Sequence, residues 1–180
     1  MGVVKRRFSS GSVNHCASVA LANAGVEMYD LVVGCSVHKF PKAQVDIYVT
    51  VLQNDGSALA ASITCASVAL ANAGVEMYDL VVGCSVRIAD SLTLLDPTES
   101  EEYKSQDDNP ENHGSVTVGY MPSLNQVSAI TSKGEIEFEA IKKAMNQCVS
   151  SSQTLYSVLQ KCLHTSVMDK LNKKTSKLQT

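Results

Sequence analysis

The sequence predicts an α/β (α+β) domain in which a mixed sheet packs on helices. Residues Gln44 to Leu52 alternate apolar and polar side chains with a period of two, which is typical of a half-buried strand. An alanine-rich segment with helical spacing follows, and Asp79 to Ile88 is then apolar on both faces, as a central strand is. A long stretch with a single apolar stripe lies near the end of the chain. Strands and helices in this order indicate a sheet covered by helices.

The helix between these strands is predicted from Ser57 to Ala73. Residues Asn54 to Ser57 supply turn and N-cap chemistry, and Asn72-Ala73-Gly74 ends the helix. Apolar residues recur between these ends at spacings of 4, 3 and 4, at Leu59, Ile63, Ala66 and Leu70. Small side chains along the helix allow close approach to a sheet, so we expect a strand-helix-strand unit.

A solvated loop and a hairpin are predicted after this unit. Asp96 to His113 carries seven acids against one lysine, together with two prolines. Ser115 to Met121 and Gln126 to Thr131 read as strands on either side of Pro122 to Asn125, which indicates a hairpin. A further turn is expected at Ser132-Lys133-Gly134.

A long helix is predicted from Glu135 onward. Its apolar residues alternate at spacings of 3 and 4, at Phe138, Ile141, Met145, Cys148, Ser152, Leu155, Leu159 and Cys162. This spacing also fits a coiled coil, but cysteine and serine on the seam favour packing on the domain's own sheet. The tail from Lys170 to Lys177 carries four lysines and is expected to fray.

Composition excludes several classes of protein. An apolar content of 44% is enough for a buried core, and a net charge of −3 gives no general attraction to nucleic acid. No apolar run approaches the roughly 18 residues of a membrane span. None of the six cysteines forms a Cys-x-x-Cys pair, so we predict reduced, buried thiols in an intracellular protein instead of disulfides or zinc. The basic, serine-rich start also fits a mitochondrial transit peptide, which is the alternative.

A segment of 22 residues occurs twice without a difference: Cys16 to Val37 reads CASVALANAGVEMYDLVVGCSV, and Cys65 to Val86 repeats it at a spacing of 49. Two undiverged copies indicate a recent duplication or an assembly error, and not a solenoid. Copy two follows a strand and a cap, so we expect Asp79 to Ile88 at an interior position of the sheet. Copy one lacks both, so we expect a helix from near Asn14, and Asp30 to Val37 pairing at an edge.

Catalytic motifs are scarce. The chain has no Gly-x-Ser-x-Gly elbow, no Walker loop and no His-Glu-x-x-His, and its four histidines are scattered. One acid cluster follows an apolar strand, where carboxylates can hold Mg²⁺ beside a phosphoryl group, at Asp96, Glu99, Glu101 and Glu102. A solvated acidic loop is the alternative.

Four stretches, read in order, resemble a known family: FPKAQVDIYVTVLQNDGSALAASI, GVEMYDLVVGC, LLDPTESEE and GSVTVGYMPSLNQVSAI. Together they resemble the carboxy-terminal half of the ribonuclease-PH-like subunits of the eukaryotic RNA exosome ring, over about Phe40 to Leu163. The resemblance implies a ribosomal-protein-S5-domain-2-like (RNase PH) fold, present in part, in a ring that threads RNA toward a separate nuclease. It divides the chain into a basic leader with the extra repeat copy at 1–39, a partial RNase PH-like domain at 40–168 and a flexible lysine-rich tail at 169–180.

The resemblance also implies the position of a phosphate site. Active members carry a Gly-Gly-Thr-Arg-like turn that binds inorganic phosphate, and the matching stretch is Asp55-Gly56-Ser57-Ala58-Leu59. An apolar residue stands in place of the arginine, and the phosphate-site equivalents that remain are Gly56, Ser57 and Leu59. Without that cation the attacking phosphate lacks a bidentate clamp. Asp96 matches the first metal-binding acid, and Glu102 stands where the second is Asp. The amino-terminal half, which supplies further basic residues in the family, is expected to be missing.

These implications favour a non-catalytic structural subunit of the RNA exosome ring that supports 3′-to-5′ processing and decay of rRNA and mRNA. The implied partners are other ring subunits, cap subunits and RNA, with no cofactor and no membrane, in the nucleus, nucleolus and cytoplasm. Lys42, Arg87 and Lys104 are candidate RNA contacts, with ordinary solvated surface as the alternative. Two other hypotheses are a phosphorolytic exoribonuclease that uses Asp96 and Glu102 with Mg²⁺, and a truncated product without independent activity.

Overall fold

The computed structural model describes residues 16–21, 30–34, 47–49, 51–89, 92–104 and 113–178. In chain order their strands and helices are β1 Cys16–Leu21, β2 Asp30–Gly34, β3 Ile47–Val49, α1 Ala58–Asn72, β4 Val82–Ala89, β5 Leu92–Leu95, α2 Glu99–Lys104, β6 His113–Met121, β7 Gln126–Glu135 and α3 Phe138–Leu178. The strands form a three-stranded sheet, β2-β1-β3, and a four-stranded sheet, β5-β4-β6-β7.

β4 lies inside the four-stranded sheet, in which every pair of neighbours is antiparallel. Val86 of β4 pairs with Leu95 of β5 on one side and with Val116 of β6 on the other. Val82 and Val86 have no exposed surface, which is typical of a strand that is covered on both faces. The interior position predicted for Asp79 to Ile88 is therefore confirmed, with the strand itself beginning at Val82.

β6 and β7 form the predicted hairpin around the turn at residues 122–125. The further turn predicted at Ser132-Lys133-Gly134 is wrong, because β7 continues to Glu135 and Gly134 pairs with Gly114. Gly134 has a φ of 93°, and a Cβ there would lie 2.2 Å from the His113 carbonyl oxygen. This glycine therefore allows two strand backbones to approach closely, and it does not end the strand.

α1 is the capped, alanine-rich helix that the sequence predicts. The Ser57 hydroxyl accepts a hydrogen bond from the Ala60 amide (3.4 Å), and the helix ends at Asn72. A side-chain acceptor at this position satisfies one of the amides that the first turn leaves unpaired, which stabilises a helix by about 1 kcal/mol.

α1 lies very close to β4. A Cβ on Gly83 would be 2.2 Å from the Ala60 carbonyl oxygen, so only glycine fits at this position without a shift of the helix. Hydroxyl groups of α1 accept hydrogen bonds from the strand segment. The Val81 amide donates to Ser67 Oγ (2.8 Å), and the Gly83 amide donates to Thr64 Oγ1 (2.9 Å).

The first half of α3 packs on the four-stranded sheet. Ala144 and Cys148 are fully buried against a cluster built from β4 and β6. Packing on the domain's own sheet, the arrangement favoured over a coiled coil, is therefore confirmed for this half. Farther along the predicted stripe Leu155 is 44% exposed, so the sheet no longer covers the helix there.

The end of α3 differs from the prediction. The segment Lys170 to Lys177 is predicted to fray, but the helix continues through it to Leu178. Leucine and lysine are strong helix formers, and the Lys170 ammonium group donates to Asn72 Oδ1 at the end of α1. No helix in the described ranges, α3 included, is long and apolar enough to cross a membrane.

β3 belongs to the smaller sheet, which is mixed. It pairs in parallel with β1, and β1 pairs antiparallel with β2. The predicted strand-helix-strand unit therefore spans two sheets, because β3 and β4 are not neighbours. Ile47 and Val49 of β3 are buried against Ile63, Ala66 and Leu70 of α1, which links the sheets through one apolar cluster. Residues 44–46 and 50 of the predicted strand lie outside the described residues.

The two copies of the repeat have different structures in their described parts. Cys16–Leu21 is strand β1, whereas the same six letters at Cys65 to Leu70 lie inside α1. The helix predicted from near Asn14 is therefore wrong for β1. Copy two extends a helix that already begins at the Ser57 cap, and extending a helix is far easier than starting one. β2 is an edge strand, as predicted for Asp30 to Val37, of which residues 35–37 lie outside the described part.

The prediction of buried thiols is confirmed at two of the four cysteines whose side chains the structure describes. Cys84 and Cys148 are buried, Cys65 is half-buried and Cys162 is exposed, and all four are free. The prediction is wrong for Cys162 because α3 has left the sheet before this residue.

Candidate functional site

The glycine turn before α1 contacts the loop after β5. Gly56 has a φ of 139°, which favours glycine, and a Cβ there would lie 2.5 Å from the Pro97 carbonyl oxygen. The Glu99 amide donates to Asp55 Oδ1 (3.4 Å) across the same contact. The structure therefore brings together the two segments that the resemblance assigns to phosphate and metal binding.

A cavity of about 530 Å³ opens beside this contact. Its lining includes the turn, the start of α1 and Asp96. Asp96 is exposed, and its amide donates to the Ser85 carbonyl (2.9 Å), which fixes this residue at the end of β5. Asp55 and Asp96 are the charged residues of the lining, and none of its described residues is lysine or arginine. The two carboxylates of this lining repel a phosphate dianion.

The residues of the matched turn separate into two groups. Gly56 and Ser57 line the cavity, and the Ser57 hydroxyl is engaged as the cap of α1. Leu59 is half-buried and packs against the apolar cluster of Ile47 and Val49, and it is not part of the cavity lining. The side chain of Leu59 is therefore part of the core.

Sequence analysis missed the short helix α2, which follows Asp96. Its start is capped by Thr98 and Glu101: the Thr98 amide (2.8 Å) and hydroxyl (2.9 Å) both donate to the Glu101 carboxylate. The Thr-x-x-Glu spacing of a capping box is visible in the sequence. The loop predicted from Asp96 is therefore helical over residues 99–104, and residues 105–112 lie outside the described part.

Glu102 lies within α2, six positions along the chain from Asp96. Among the residues that the structure describes, no group of three or more His, Cys, Asp or Glu is placed to hold a metal ion. Magnesium binding by Asp96 and Glu102 therefore stays a prediction that rests on the resemblance.

A larger groove of about 990 Å³ runs between α1 and α3 and meets the cavity at Ser57, Cys65 and Asp96. Its walls are mainly small and apolar side chains of the two helices, and its floor is the β4 segment from Gly83 to Ser85.

A buried carboxylate outside the cavity ties three parts of the fold together. Asp79, which is 8% exposed, accepts hydrogen bonds from the Ser123 amide (2.7 Å) and the Tyr156 hydroxyl (2.9 Å). The Ser123 and Tyr156 hydroxyl groups also lie 2.6 Å apart. Desolvation raises the pKa of Tyr156, and the hydrogen bond to Asp79 raises it further, while the bond with Ser123 opposes this shift.

Two buried thiols meet where β4 contacts α3. The Cys148 thiol donates to the Cys84 carbonyl oxygen, with 3.8 Å between sulfur and oxygen. Its hydrogen bond with Cys84 and its burial raise the pKa of the Cys148 thiol. This thiol is therefore neutral, and a poor nucleophile, at neutral pH.

The structure describes two of the three candidate RNA contacts, and they lie on different elements. Arg87 is half-buried in β4, between β5 and β6, and Lys104 is the last residue of α2. Arg87 is not part of the lining of the cavity beside Asp96. Lys42 lies outside the described residues.

The fold is similar to that of RNase PH-like proteins, as comparison with known proteins shows. The family model described as RNase_PH, 3′ exoribonuclease family, domain 1, matches residues 30–76. The crystal structure of rice (Oryza sativa) Rrp46 superposes with a TM-score of 0.70 over 90% of this chain and 80% of that chain, at 17% sequence identity. The predicted fold class is therefore confirmed.

Sequence relatives narrow the class to exosome components. Exosome complex component MTR3 of Mus musculus is 42% identical over 129 residues, which are 69% of this chain and 45% of that protein. Exosome complex component Rrp41 of Pyrobaculum arsenaticum is 33% identical over 132 residues, which are 73% of this chain and 51% of that protein. The chain is homologous to RNase PH-like exosome subunits, including the MTR3 (exosome component 6) type, so the resemblance is confirmed. It spans about half the length of the curated relatives it matches.

Proposed function

We propose that this chain is a non-catalytic structural subunit of an RNA exosome ring. In this role it supports 3′-to-5′ processing and degradation of rRNA and mRNA through ring assembly and RNA threading. Homology to MTR3 and Rrp41, both named as exosome complex components, supports the assignment to an exosome. Its partners are then other RNase PH-like ring subunits, cap subunits and RNA, in the nucleus, nucleolus and cytoplasm.

The side chains that line the cavity beside the Gly56 turn support the proposal that the subunit is non-catalytic. Phosphorolysis needs an inorganic phosphate that is clamped and charge-neutralised beside the RNA backbone. The described lining of the cavity contains Ala58 after the Gly56-Ser57 turn and the carboxylates of Asp55 and Asp96, and it contains no lysine or arginine. A phosphate dianion placed there meets the like charge of both carboxylates.

Exposed apolar residues support a role in assembly. β5 and β7 are the edge strands of the four-stranded sheet, and an unpaired edge is a template for another chain. Leu92 of β5 is 56% exposed, Ile130 of β7 is 48% exposed, and Phe138 at the start of α3 is 74% exposed. Apolar side chains at open edges are typical of surfaces that a partner covers.

An RNA phosphorolysis assay tests the non-catalytic role. Purified chain is incubated with single-stranded RNA, inorganic phosphate and Mg²⁺, beside an active phosphorolytic enzyme of the same family as a positive control. The proposal expects no release of nucleoside diphosphates by the chain. Phosphate-dependent release that is lost in Asp96→Asn would overturn it and would favour the alternative, a phosphorolytic exoribonuclease that uses Asp96 and Glu102.

A further inference from the structure

The repeat gives one amino-acid segment two structures within one chain. The letters CASVAL form strand β1 in copy one and part of helix α1 in copy two, and DLVVG forms edge strand β2 in copy one. The segment's own preferences therefore do not decide its structure, and its surroundings do.

Copy one contains the same side chains with which copy two packs and hydrogen-bonds in the four-stranded sheet. At a spacing of 49, Ser18 corresponds to Ser67, which accepts the Val81 amide. Asp30 corresponds to Asp79, which holds Ser123 and Tyr156. The buried strand residues of copy two, Val82, Cys84 and Val86, likewise have identical counterparts in Val33, Cys35 and Val37.

The difference between the copies lies in their flanks. Ile63 and Ile88 flank copy two and are only 4% and 1% exposed. The corresponding residues beside copy one, 49 positions earlier, are Asn14 and Lys39. Copy one in the same place would bury an amide and an ammonium group where copy two buries two isoleucines. Burying such groups without partners is unfavourable, so copy two holds the place in the native chain.

We propose that the two copies are alternative occupants of one place beside β6 and α3, and that the flanking residues set the ratio between them. In the second arrangement copy one fills this place and copy two is released. Release of α1 also separates the Gly56 turn from Pro97 and removes the cavity beside Asp96. The repeat is therefore a conformational device that changes the candidate site and the apolar cluster around α1.

The test exchanges the flanks. Asn14→Ile with Lys39→Ile gives copy one the two buried isoleucines that flank copy two, Ile63 and Ile88. Cys84 and Cys35 report the two arrangements, because the copy that fills the place buries its cysteine against α3. The time course of modification with iodoacetamide is measured on tryptic peptides by mass spectrometry. Cleavage after Lys39 or Lys42 places the two copies on different peptides. The double variant lacks the cleavage site at position 39, and cleavage after Lys42 then separates the copies.

In the double variant we expect modification of Cys84 to rise by about tenfold or more, because the reactivity of a buried group follows the population in which it is open. Modification of Cys35 falls at the same time. Asp30→Ala added to the double variant is the matched control, because it removes the carboxylate that copy one needs for Ser123 and Tyr156. The rates should then return to those of the native chain.

A second variant keeps the proposal falsifiable if the double variant does not fold. Ile88→Lys gives copy two the flank of copy one, and it should slow the modification of Cys35, with the effect abolished by adding Asp30→Ala. Unchanged Cys35 modification in both Ile88→Lys and the double variant overturns the proposal.

Discussion

Replacing Asp79 by asparagine removes the buried charge that joins the start of β4, the hairpin turn and α3. Asparagine has nearly the same shape, but one of its two acceptor oxygens becomes an NH₂ donor. That group takes the place of Oδ2, which accepts from the Ser123 amide, or of Oδ1, which accepts from the Tyr156 hydroxyl and the Leu80 amide. A backbone amide, which can only donate, faces the new donor in either case. One donor therefore loses its partner, and the bond that survives is no longer made to a charged group.

The expected magnitude follows from these two tertiary bonds. Hydrogen bonds to charged groups contribute about 1.5–3 kcal/mol each, and neutral ones about 0.5–1.5 kcal/mol. The Ser123 and Tyr156 hydroxyl groups can still bond to each other, which offsets part of the loss. We expect Asp79→Asn to lower the free energy of unfolding by about 2–4 kcal/mol. For a chain of this size the midpoint of thermal unfolding should fall by roughly 5–12 °C.

Tyr156→Phe is the matched control, because it removes one donor and leaves the Asp79 carboxylate with its backbone partners Leu80 and Ser123. It should cost only about 1 kcal/mol. Urea unfolding followed by far-ultraviolet circular dichroism measures both variants under the same conditions. An Asp79→Asn variant that loses no more stability than Tyr156→Phe would refute the reasoning, because the buried charge would then contribute nothing of its own.

Three further predictions concern packing, thiol reactivity and pH. Gly83→Ala should destabilise the chain by about 2 kcal/mol or more, since the new Cβ would lie 2.2 Å from the Ala60 carbonyl oxygen; an unchanged urea midpoint would contradict this. Cys162 should react with iodoacetamide at least about a hundredfold faster than Cys148. Cys162 is exposed, whereas the pKa of the buried Cys148 thiol is raised by its hydrogen bond with Cys84 and by its burial. Peptide mass spectrometry would show equal rates if this account were wrong. The native pKa of Tyr156 lies above its ordinary value of 10.0, so its contribution to stability is complete below pH 10 and is lost as the pH rises through the native pKa. The Tyr156→Phe variant should therefore lose less stability than the native chain over that range. Alkaline unfolding curves that run parallel for the two proteins would disprove this prediction.

Local patterns predicted much of the four-stranded part of the fold. α1 begins at its Ser57 cap, and β4 is apolar on both faces, so neighbouring residues hold the information for both. β6 and β7 follow in the same way from a turn between two strand patterns. Gly134 was misread because glycine serves both turns and close strand approaches, and only the pairing partner distinguishes them.

The smaller sheet could not be predicted from local patterns. β1 has the same letters as a stretch of α1, so no rule that uses only those letters can assign both. Its structure depends on β2 and β3, which are tertiary partners. β5 and α2 were missed because four and six residues are too short for a clear period.

The candidate site was predictable only through resemblance. The turn at Gly56 and the acid Asp96 are far apart in the chain, and no spacing rule joins them before the fold does. The same holds for Asp79 and Tyr156, which are 77 residues apart. Leu59 packs against an apolar cluster and does not line the cavity. The direction of this side chain depends on tertiary contacts, so the sequence alone could not predict it.

Co-purification tests the proposed role in an exosome ring most directly. The full chain carries a small affinity tag and is expressed in eukaryotic cells, and its partners are identified by mass spectrometry after purification at near-physiological salt. A tagged MTR3 from the same cells is the positive control. We expect recovery of other RNase PH-like ring subunits and cap subunits in fixed proportion to the chain. Recovery of none of them, while tagged MTR3 recovers the set, would contradict the proposal that this chain is a ring subunit.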